Sequence, residues 1–258
     1  MFAAILLCGL TIASCTKDPV PTPEPEPDPE PQPVTVTRLA RETRKVNNGM
    51  MELATSSNYT WDNGILTCVY DTISMGVINQ TYKHNLIYEN GLLVKVDEEN
   101  GKWNYSFTYE DGLMKTFLNL RQGDTTAWGD ITSYTADGLM ETCISYNVAS
   151  QVTKKTRWTL TWENGDAIKA VEEILEPEEL VETHTYTYTY DDKPNARTGY
   201  PLGYALFDGN GASVAYRLSK HNQIEEGYTY DYNENGYLTS VVKENDSTFY
   251  NYIEQTLR

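Results

Sequence analysis

One short motif recurs along the chain and limits its fold more than any other feature. An aromatic residue stands two positions before an Asn-Gly or Asp-Gly pair, in copies centred on Gly64, Gly91, Gly112 and Gly165. Both dipeptides favour two-residue turns in which both central residues have positive φ. Apolar and polar residues alternate on either side of the turn, which is typical of strands. Each copy therefore predicts a β-hairpin.

Two longer copies have one more residue before the glycine, at Gly138 and Gly236. Here we expect a three-residue loop that ends in a left-handed glycine, with a β-bulge beside it. Both forms place the aromatic residue opposite the second residue after the glycine. Such pairs stabilise a sheet by about 0.2–1 kcal/mol relative to an alanine pair. The predicted cross-strand pairs are Trp61–Leu66, Tyr88–Leu93, Tyr109–Met114, Tyr134–Met140 and Tyr232–Leu238.

The spacing of the turn glycines sets the fold class. It is about 21–28 residues over most of the chain, which accommodates two strands of about 5–6 residues and two connections. About seven such units predict an all-β fold, an antiparallel meander of about fourteen strands curled into a barrel-like or open curved sheet. We expect a single repeat-built β domain over residues 35–258, with the last strand near residues 248–253.

Two segments interrupt the repeats. Residues 171–181 are acidic and contain Pro177, which favours a long hairpin loop because proline costs about 3 kcal/mol inside a helix. Residues 195–226 form an insertion between units. Irregular segments on a regular scaffold often carry recognition, so these two places are the first to inspect if the domain has a functional groove.

The first 34 residues predict export and anchoring. Residues 1–14 are apolar and too short to span a bilayer, which is typical of a secretory signal peptide. The residues before Cys15 resemble the lipobox of bacterial lipoproteins, in which the cysteine is lipidated; the alternative is a chance cysteine after an ordinary signal peptide. Residues 15–34 then form a spacer with proline at every odd position from 19 to 33, a composition that favours extended polyproline II.

Charge restricts the partners. The chain has 37 acidic and 20 basic side chains and a formal net charge of −17. Without a basic patch it is not expected to bind nucleic acid or anionic headgroups, so membrane contact is expected through the lipid anchor only. Twenty tyrosines against five phenylalanines suit half-buried strand positions where the hydroxyl reaches a partner.

The alternation also bears on which face of the sheet is covered. Tyr105, Phe107 and Tyr109 share one face, and Ser106 and Thr108 share the other. A sheet in water would turn the aromatic face inward, whereas a membrane-spanning barrel would turn its apolar face to lipid. We expect the first arrangement, because the strands are predicted to have 5–8 residues and because Lys95 and Asp97 are predicted to follow Leu93 on its own face.

Few residues suggest chemistry. Asp231, Asn233, Asn235 and Gly236 match the first half of an EF-hand loop, but position twelve is Val242, and a hairpin turn explains the same residues. Cys68 and Cys143 are predicted to point to opposite faces, which disfavours a disulfide. The three histidines, His84, His184 and His221, show no ligand spacing. We therefore predict no catalytic, cofactor or metal residue, no cofactor and no enzymatic activity; Cys15 is the only predicted site residue.

The repeated Tyr-x-x-Asn/Asp-Gly-x-Leu pattern, with Tyr-Asp variants at Tyr190 and Tyr230, resembles YD/RHS-type repeats. Together with Cys15, the spacer and the hexapeptide at residues 190–195, it makes the mature chain similar to a family of uncharacterised Bacteroidota lipoproteins. That resemblance implies a porin-like antiparallel β fold and a place in the outer membrane, on the cell surface or the periplasmic face. It implies no known activity.

The expected function is that of a tethered, non-catalytic module that binds a glycan, a peptide or a partner protein through its loops or an aromatic face. One alternative is a hydrolase that uses a pair of carboxylates on envelope or dietary glycan. Another is a structural or pore-like envelope barrel. Exposed coplanar rings along a groove, a close carboxylate pair in a cleft, or a continuous outward apolar band would favour glycan binding, the hydrolase or the pore, respectively.

Overall fold

A computed structural model describes residues 33–47, 49, 51–149, 152–176, 179–207 and 211–257. The chain divides into two units, and all described residues belong to the second, Pro33–Arg258. The first unit, Met1–Gln32, lies outside the described residues, and so do the signal peptide, Cys15 and most of the spacer. The lipid anchor and the spacer therefore stay predictions.

Strands make up most of the second unit. In chain order the strands are β1 Thr35–Asn47, β2 Glu52–Asp62, β3 Ile65–Met75, β4 Ile78–Glu89, β5 Leu92–Glu98, β6 Trp103–Glu110, β7 Leu113–Arg121, β8 Asp124–Tyr134, β9 Met140–Ala149, β10 Val152–Glu163, β11 Asp166–Leu175, β12 Leu180–Thr187, β13 Thr189–Pro194, β14 His221–Ile224, β15 Thr229–Tyr232, β16 Leu238–Lys243 and β17 Asp246–Thr256. Two helices lie between β13 and β14, namely α1 Leu202–Phe207 and α2 Gly211–Leu218. Neither described helix has the length and apolar character needed to cross a membrane.

Fifteen of these strands form one antiparallel sheet in the order β12 down to β1, followed by β17, β16 and β15. The strands β13 and β14 pair only with each other. The meander is confirmed, with seventeen described strands in place of about fourteen. The two end strands, β12 and β15, do not pair with each other. The sheet is therefore open, which is the second of the two forms expected.

The turns have the predicted geometry. Asn63 and Gly64 both have positive φ, 45° and 79°, as a two-residue primed turn requires. In a longer copy, Gly138 has φ of 78° and its N–H donates to the carbonyl of Thr135 at 3.0 Å. Turn chemistry therefore sets the local register in both forms of the motif.

All five predicted cross-strand pairs are confirmed: Trp61–Leu66, Tyr88–Leu93, Tyr109–Met114, Tyr134–Met140 and Tyr232–Leu238. A register shift lies directly beside each pair. The shift arises because the strand after the turn has one extra residue there, so its alternation is reset.

That extra residue makes one prediction wrong. Tyr88 pairs with Leu93, but the next pair is Ile87 with Lys95, so Val94 is the bulged residue. Leu93 and Val96 are buried, whereas Lys95 lies on the opposite face, where it pairs with Asp97 at 3.3 Å. The two charges therefore do not share the face of Leu93.

The predicted strand length of 5–8 residues is also wrong for most of the sheet. The strand β1 has 13 residues, and β4 and β10 have 12 each. Beyond the aromatic part the strands continue through polar residues such as Asn79, Gln80 and Thr81, whose composition resembles that of loops. Backbone pairing continues through them, with Gln80 opposite Ile73.

The two helices pack against one face of the sheet, here called the inner face. The ring of Tyr200, just before α1, lies 5.6 Å from Tyr59, and the ring of Phe207 at the end of α1 lies 4.9 Å from Tyr105. Tyr204 is 1 % exposed. The aromatic face is therefore turned inward, as expected, with Phe107 buried and Ser106 and Thr108 exposed.

The helices fit closely because they carry small residues. Ala205, Val214 and Ala215 have no exposed surface. A Cβ added to Gly203 would lie 2.9 Å from the ring of Phe107, so this position requires glycine. The insertion thus fills the space inside the curved sheet with the helices α1 and α2.

The motif aromatics also hold successive hairpins together. Apart from Tyr232, whose hydroxyl donates to the carboxylate of Asp191, each donates its hydroxyl or indole N–H to the carbonyl of the residue two positions after the glycine in the preceding hairpin, or to the carbonyl of Leu39 on β1. We call these bonds the ring ladder. Its members are Trp61 to Leu39, Tyr88 to Leu66, Tyr109 to Leu93, Tyr134 to Met114, Trp162 to Met140, Tyr190 to Ala167 and Tyr252 to Leu238, at 2.5–2.8 Å.

The ring ladder replaces missing backbone bonds. Between β5 and β6, for example, the paired residues end at Lys95 with Ser106, so the pairing stops before Leu93. The hydroxyl of Tyr109 then donates to the Leu93 carbonyl at 2.7 Å. A buried carbonyl without a partner costs about 1–3 kcal/mol, which explains why the repeat uses tyrosine or tryptophan and not phenylalanine at this position.

The first and last strands complete one further copy of this arrangement. Leu39 on β1 pairs with Tyr252 on β17, in the way that Leu93 pairs with Tyr88. Leu39 accepts from Trp61 of the following hairpin, and Tyr252 donates to Leu238 of the preceding one. The strands β1 and β17 therefore form a unit whose two strands come from opposite ends of the sheet-forming sequence.

Candidate functional site

The largest of the described cavities opens on the inner face, away from the motif turns, and has a volume of about 560 Å³. We call it the main cleft. Strands β2, β3, β4 and β6 supply its walls and α1 supplies part of its floor. The lining residues used below are Ser57, Asp71, Tyr82, His84, Trp103, Tyr105 and Phe207.

Strand register brings the polar groups of this wall into one row. Ser57 on β2 pairs with Asp71 on β3, and His84 on β4 pairs with Glu98 on β5. Asp71 pairs with Tyr82, two residues from His84 on the same side of β4. These residues are far apart in sequence, and only the meander places them on adjacent strands.

Asp71 is the centre of the hydrogen bonds in this row. Its Oδ1 accepts from the hydroxyl of Ser57 at 2.5 Å, and its Oδ2 lies 3.2 Å from Nε2 of His84. Both carboxylate oxygens are thereby fixed in orientation. Asp71 nevertheless keeps a quarter of its side chain exposed, so a ligand in the cleft can reach it.

The floor is aromatic. The ring of Phe207 contacts that of His84 edge-on at 4.8 Å and that of Tyr105 at 4.9 Å, at 64° and 87° respectively. The amide of Asn119 donates to the Tyr105 hydroxyl at 2.6 Å. Burial raises the pKa of Tyr105 to about 12, so this phenol stays neutral at physiological pH.

Several polar atoms beside the cleft have no hydrogen-bond partner among the described residues. They are both carboxylate oxygens of Glu98, Nδ1 of His84 and Oδ1 of Asn119. Glu98 is 1 % exposed. Since most buried polar atoms in proteins are hydrogen-bonded, this concentration on neighbouring strands beside one cavity is the strongest functional signal in the described part of the molecule.

The chemistry of this row favours binding over bond cleavage. A serine nucleophile needs a base that accepts its proton and a third group that orients that base. Here Ser57 donates to Asp71, and Asp71 stands between Ser57 and His84. The imidazole is therefore not the partner of the hydroxyl, and these three side chains do not form a Ser-His-Asp relay.

Two other cavities differ in character. The side cleft, about 200 Å³, shares Tyr105 with the main cleft and is also lined by Lys154 and Glu172. A third cavity, about 210 Å³, is lined by charged groups that pair with each other. In that cavity Arg197 bonds Glu42 at 2.6 Å and Arg44 bonds Asp246 at 2.6 Å, so few of its charges are available to a ligand.

The candidate calcium loop is a hairpin turn, as the sequence favoured. Oδ1 of Asn233 accepts from the backbone N–H groups of Asn235 and Tyr237, at 3.0 and 2.9 Å. Oδ2 of Asp231 accepts from the Ser240 hydroxyl at 2.7 Å. No group of three or more His, Cys, Asp or Glu side chains suited to a metal was found among the described residues.

The cysteines and histidines are separated. Cys143 is buried on the inner face and Cys68 lies on the outer face, both as free thiols, so the prediction of opposite faces is confirmed. His221 bonds buried Asp166 at 2.7 Å, and His184 lies 3.1 Å from Glu182. Of the three histidines, only His84 lines the main cleft, and sequence spacing did not single it out.

The hexapeptide at residues 190–195 serves the fold. Asp191 accepts from the backbone N–H groups of Lys193 and Asn222, and also from the Tyr232 hydroxyl. The amide of Asn195 donates to the carbonyls of Tyr216 and Ser219 at the end of α2, both at 2.8 Å. These bonds join β13, β14 and α2.

Comparison with known proteins supports the fold. No family model matches the chain, and no curated protein matches it. Among solved structures, the chain is similar to a porin-like protein from Bacteroides uniformis, with a TM-score of 0.53 and 12 % identity. The match covers 83 % of this chain and 96 % of that one. The porin-like fold is thus confirmed, whereas membership of the YD-repeat lipoprotein family stays a prediction.

Proposed function

We propose that the chain is a lipid-anchored protein of the bacterial outer membrane whose β domain binds a ligand in the main cleft without catalysing a reaction. The signal-like residues 1–14, Cys15 and the proline spacer support the anchor. The similarity in fold to a porin-like protein from Bacteroides is consistent with an envelope protein. The ligand is a glycan, a peptide or a segment of a partner protein.

One observation carries the binding proposal. The main cleft combines half-buried rings with His84, whose Nδ1 lacks a described partner, and Glu98 lies opposite His84 on the neighbouring strand with both oxygens likewise unpaired among the described residues. Its floor is formed by α1, whose Tyr204 is almost fully buried, so the cleft is largely pre-formed. Ligand sites in proteins are usually concave, mainly apolar and supplied with a few convergent polar groups.

The outer face argues against a pore that spans lipid. Lys83 and Glu99 pair there at 2.9 Å, and Lys95 and Asp97 at 3.3 Å. Charged side chains facing the middle of a bilayer cost about 2–4 kcal/mol each for lysine or arginine. A lipid-facing role for this surface is therefore unfavourable, and binding inside the curved sheet remains the better-supported function.

A glycan and peptide array probed with the domain from Val34 onward tests the proposal. We expect binding that Trp103→Ala abolishes, because this half-buried ring lines the main cleft. The matched control is Trp128→Ala, since Trp128 stacks on Tyr146 at 5.1 Å and pairs with Leu118, on the outer face. Binding that Trp128→Ala abolishes and Trp103→Ala leaves intact would contradict the proposed site.

A further inference from the structure

The charged residues that line the main cleft are acidic. Among its described lining residues, Asp71 is the one carboxylate and there is no lysine or arginine. Glu98 adds a second carboxylate from the same face of the sheet, opposite His84 on the neighbouring strand. The lining therefore carries negative charge, and the described basic group beside it, other than His84, is Arg121, which pairs with Trp103 on the same face but does not itself line the cleft.

Four aromatic side chains line the cleft: Tyr82, Trp103, Tyr105 and Phe207. The rings of Phe207 and Tyr105 meet at 87°, so their faces point in different directions. Aromatic faces that point in different directions suit a compact cation, which is attracted to the negative π-face of each ring.

Trp103 already attracts a cation. The guanidinium of Arg121 lies 4.8 Å from the centre of its ring. Arg121 thus occupies one face of the indole, in a contact of a kind worth about 0.5 kcal/mol or more in general, and a ligand in the cleft would use the remaining surface of the ring.

The buried Glu98 provides the independent observation. Both of its oxygens lack a hydrogen-bond partner among the described residues, and its side chain is 1 % exposed. A buried carboxylate without a counter-charge is costly. A positive group held a few ångströms away in the cleft would offset that cost, because electrostatic attraction is strong where water is excluded.

We propose that the main cleft binds the ammonium group of a small organic cation. This inference rests on the proposed binding function and names its ligand class. Asp71 forms the direct ion pair, the four rings surround the alkyl or methyl groups, and Glu98 adds attraction from within the wall. The volume of about 560 Å³ falls within the usual range of small-ligand sites, about 300–1,000 Å³.

Calorimetric titration of four small molecules tests the ligand class. The protein is the chain from residue 15 onward with Cys15→Ser, so that it carries no lipid. The probes are choline, Nα-acetyl-lysine amide, 3,3-dimethylbutanol as the neutral analogue of choline, and maltose. We expect a cation to bind at least about tenfold more tightly than the neutral analogue, which equals about 1.4 kcal/mol. The tighter of the two cations identifies the source, a free quaternary amine or a lysine side chain.

Variants locate the binding. Asp71→Asn and Glu98→Gln should each raise the Kd by about tenfold or more, in line with the strength of charge-assisted bonds. Asp97→Asn is the matched control, because Asp97 adjoins Glu98 in sequence but faces outward with Lys95. Lys154→Ala, in the side cleft, should leave the Kd unchanged. If Glu98→Gln fails to fold, as thermal unfolding would show, the Kd of Asp71→Asn alone tests whether the cation binds in the main cleft.

Three outcomes would overturn the inference. The first is equal affinity for choline and 3,3-dimethylbutanol, and the second is an unchanged Kd for the cation in Asp71→Asn. The third is no binding of either cation. If maltose or the neutral analogue then binds in a Trp103-dependent manner, the proposed function stands and only the ligand class is wrong. If the glycan and peptide array is negative as well, both fail.

Discussion

Tyrosines have different roles at the two ends of the inner face. At the end with the motif turns, tyrosine rings are packed against aliphatic residues and their hydroxyls donate to backbone carbonyls, as Tyr109 does to Leu93. At the opposite end, Tyr82 lines the main cleft and its hydroxyl donates to the side chain of Gln80. The first end gains stability from these rings, and the second keeps them available to a ligand. The same aromatic alternation along one strand can thus serve the core and the site.

The largest expected effect comes from removing a ring that supports both ends. Tyr204→Ala should lower the free energy of unfolding by about 3–5 kcal/mol, the usual range for large aromatic truncations. Tyr204 packs on Tyr200 at 5.2 Å and Phe207 at 5.9 Å. Urea unfolding monitored by tryptophan fluorescence measures the change. Tyr82→Ala, at the main-cleft end, is the control. A loss of equal size in that variant would contradict the distinction between a stabilising turn end and a cleft end whose rings are available to a ligand.

Alkaline pH should destabilise the fold through its buried phenols, among them those of the turn end. Burial raises the pKa of Tyr88, Tyr109 and Tyr134 to about 12 in the folded state, against about 10 in an unfolded chain. Below pH 10 both states hold the phenolic proton, so the stabilisation is complete. Between pH 10 and 12 the unfolded state loses its proton first, and stability falls as the pH rises.

Urea midpoints at pH 9, 10 and 11 measure how steeply the free energy of unfolding falls as the pH rises. Tyr109→Phe should make this slope shallower, because one of the phenols responsible is absent. A slope identical in the variant and the parent would show that the ladder tyrosines do not govern the alkaline loss.

A single hydroxyl of the ring ladder should have a smaller effect. Tyr109→Phe leaves the Leu93 carbonyl without its partner, so the free energy of unfolding should fall by about 1–3 kcal/mol. Tyr82→Phe, whose hydroxyl bonds an exposed side chain, should change it by less than about 0.5 kcal/mol. Equal losses would mean that the ladder bonds are no stronger than surface contacts.

The smallest expected effect is a difference in how fast a reagent modifies the two free thiols, Cys68 and Cys143. Burial raises the pKa of the Cys143 thiol to about 12 and also raises that of Cys68, which lies half-buried on the outer face. In the chain from residue 15 onward with Cys15→Ser, we expect a thiol reagent at pH 8 to modify Cys68 in the native state and both thiols only after unfolding. Rapid native modification of Cys143 would indicate that the inner face opens.

The sequence predicted what depends on neighbouring residues. The five aromatic–aliphatic pairs follow from turn length alone, and counting outward from Gly64 or Gly138 is enough to place them. The same counting failed for Lys95, because the bulge that accompanies the turn resets the alternation after Leu93. Register near a turn is a local property, and register beyond a bulge is not.

The site depends on contacts between distant residues and could not be predicted in this way. Asp71, His84 and Glu98 look like ordinary polar residues in their strands, and they meet only because β3, β4 and β5 are neighbours. The helices were missed because residues 202–218 combine three glycines with short apolar runs, which show no clear period. The insertion was expected to carry recognition, and it does contribute Phe207 to the floor of the main cleft.

The pairing of β1 with β17 imposes an order on biosynthesis. Thr35 pairs with Thr256, and Leu39 with Tyr252, so one side of β1 has no neighbour until the final strand leaves the ribosome. Contacts of such wide sequence separation form slowly, and unpaired edges expose a nascent chain to aggregation. A polypeptide stalled before residue 246 should therefore keep its first strand accessible to chaperones and proteases, however many central hairpins have already folded.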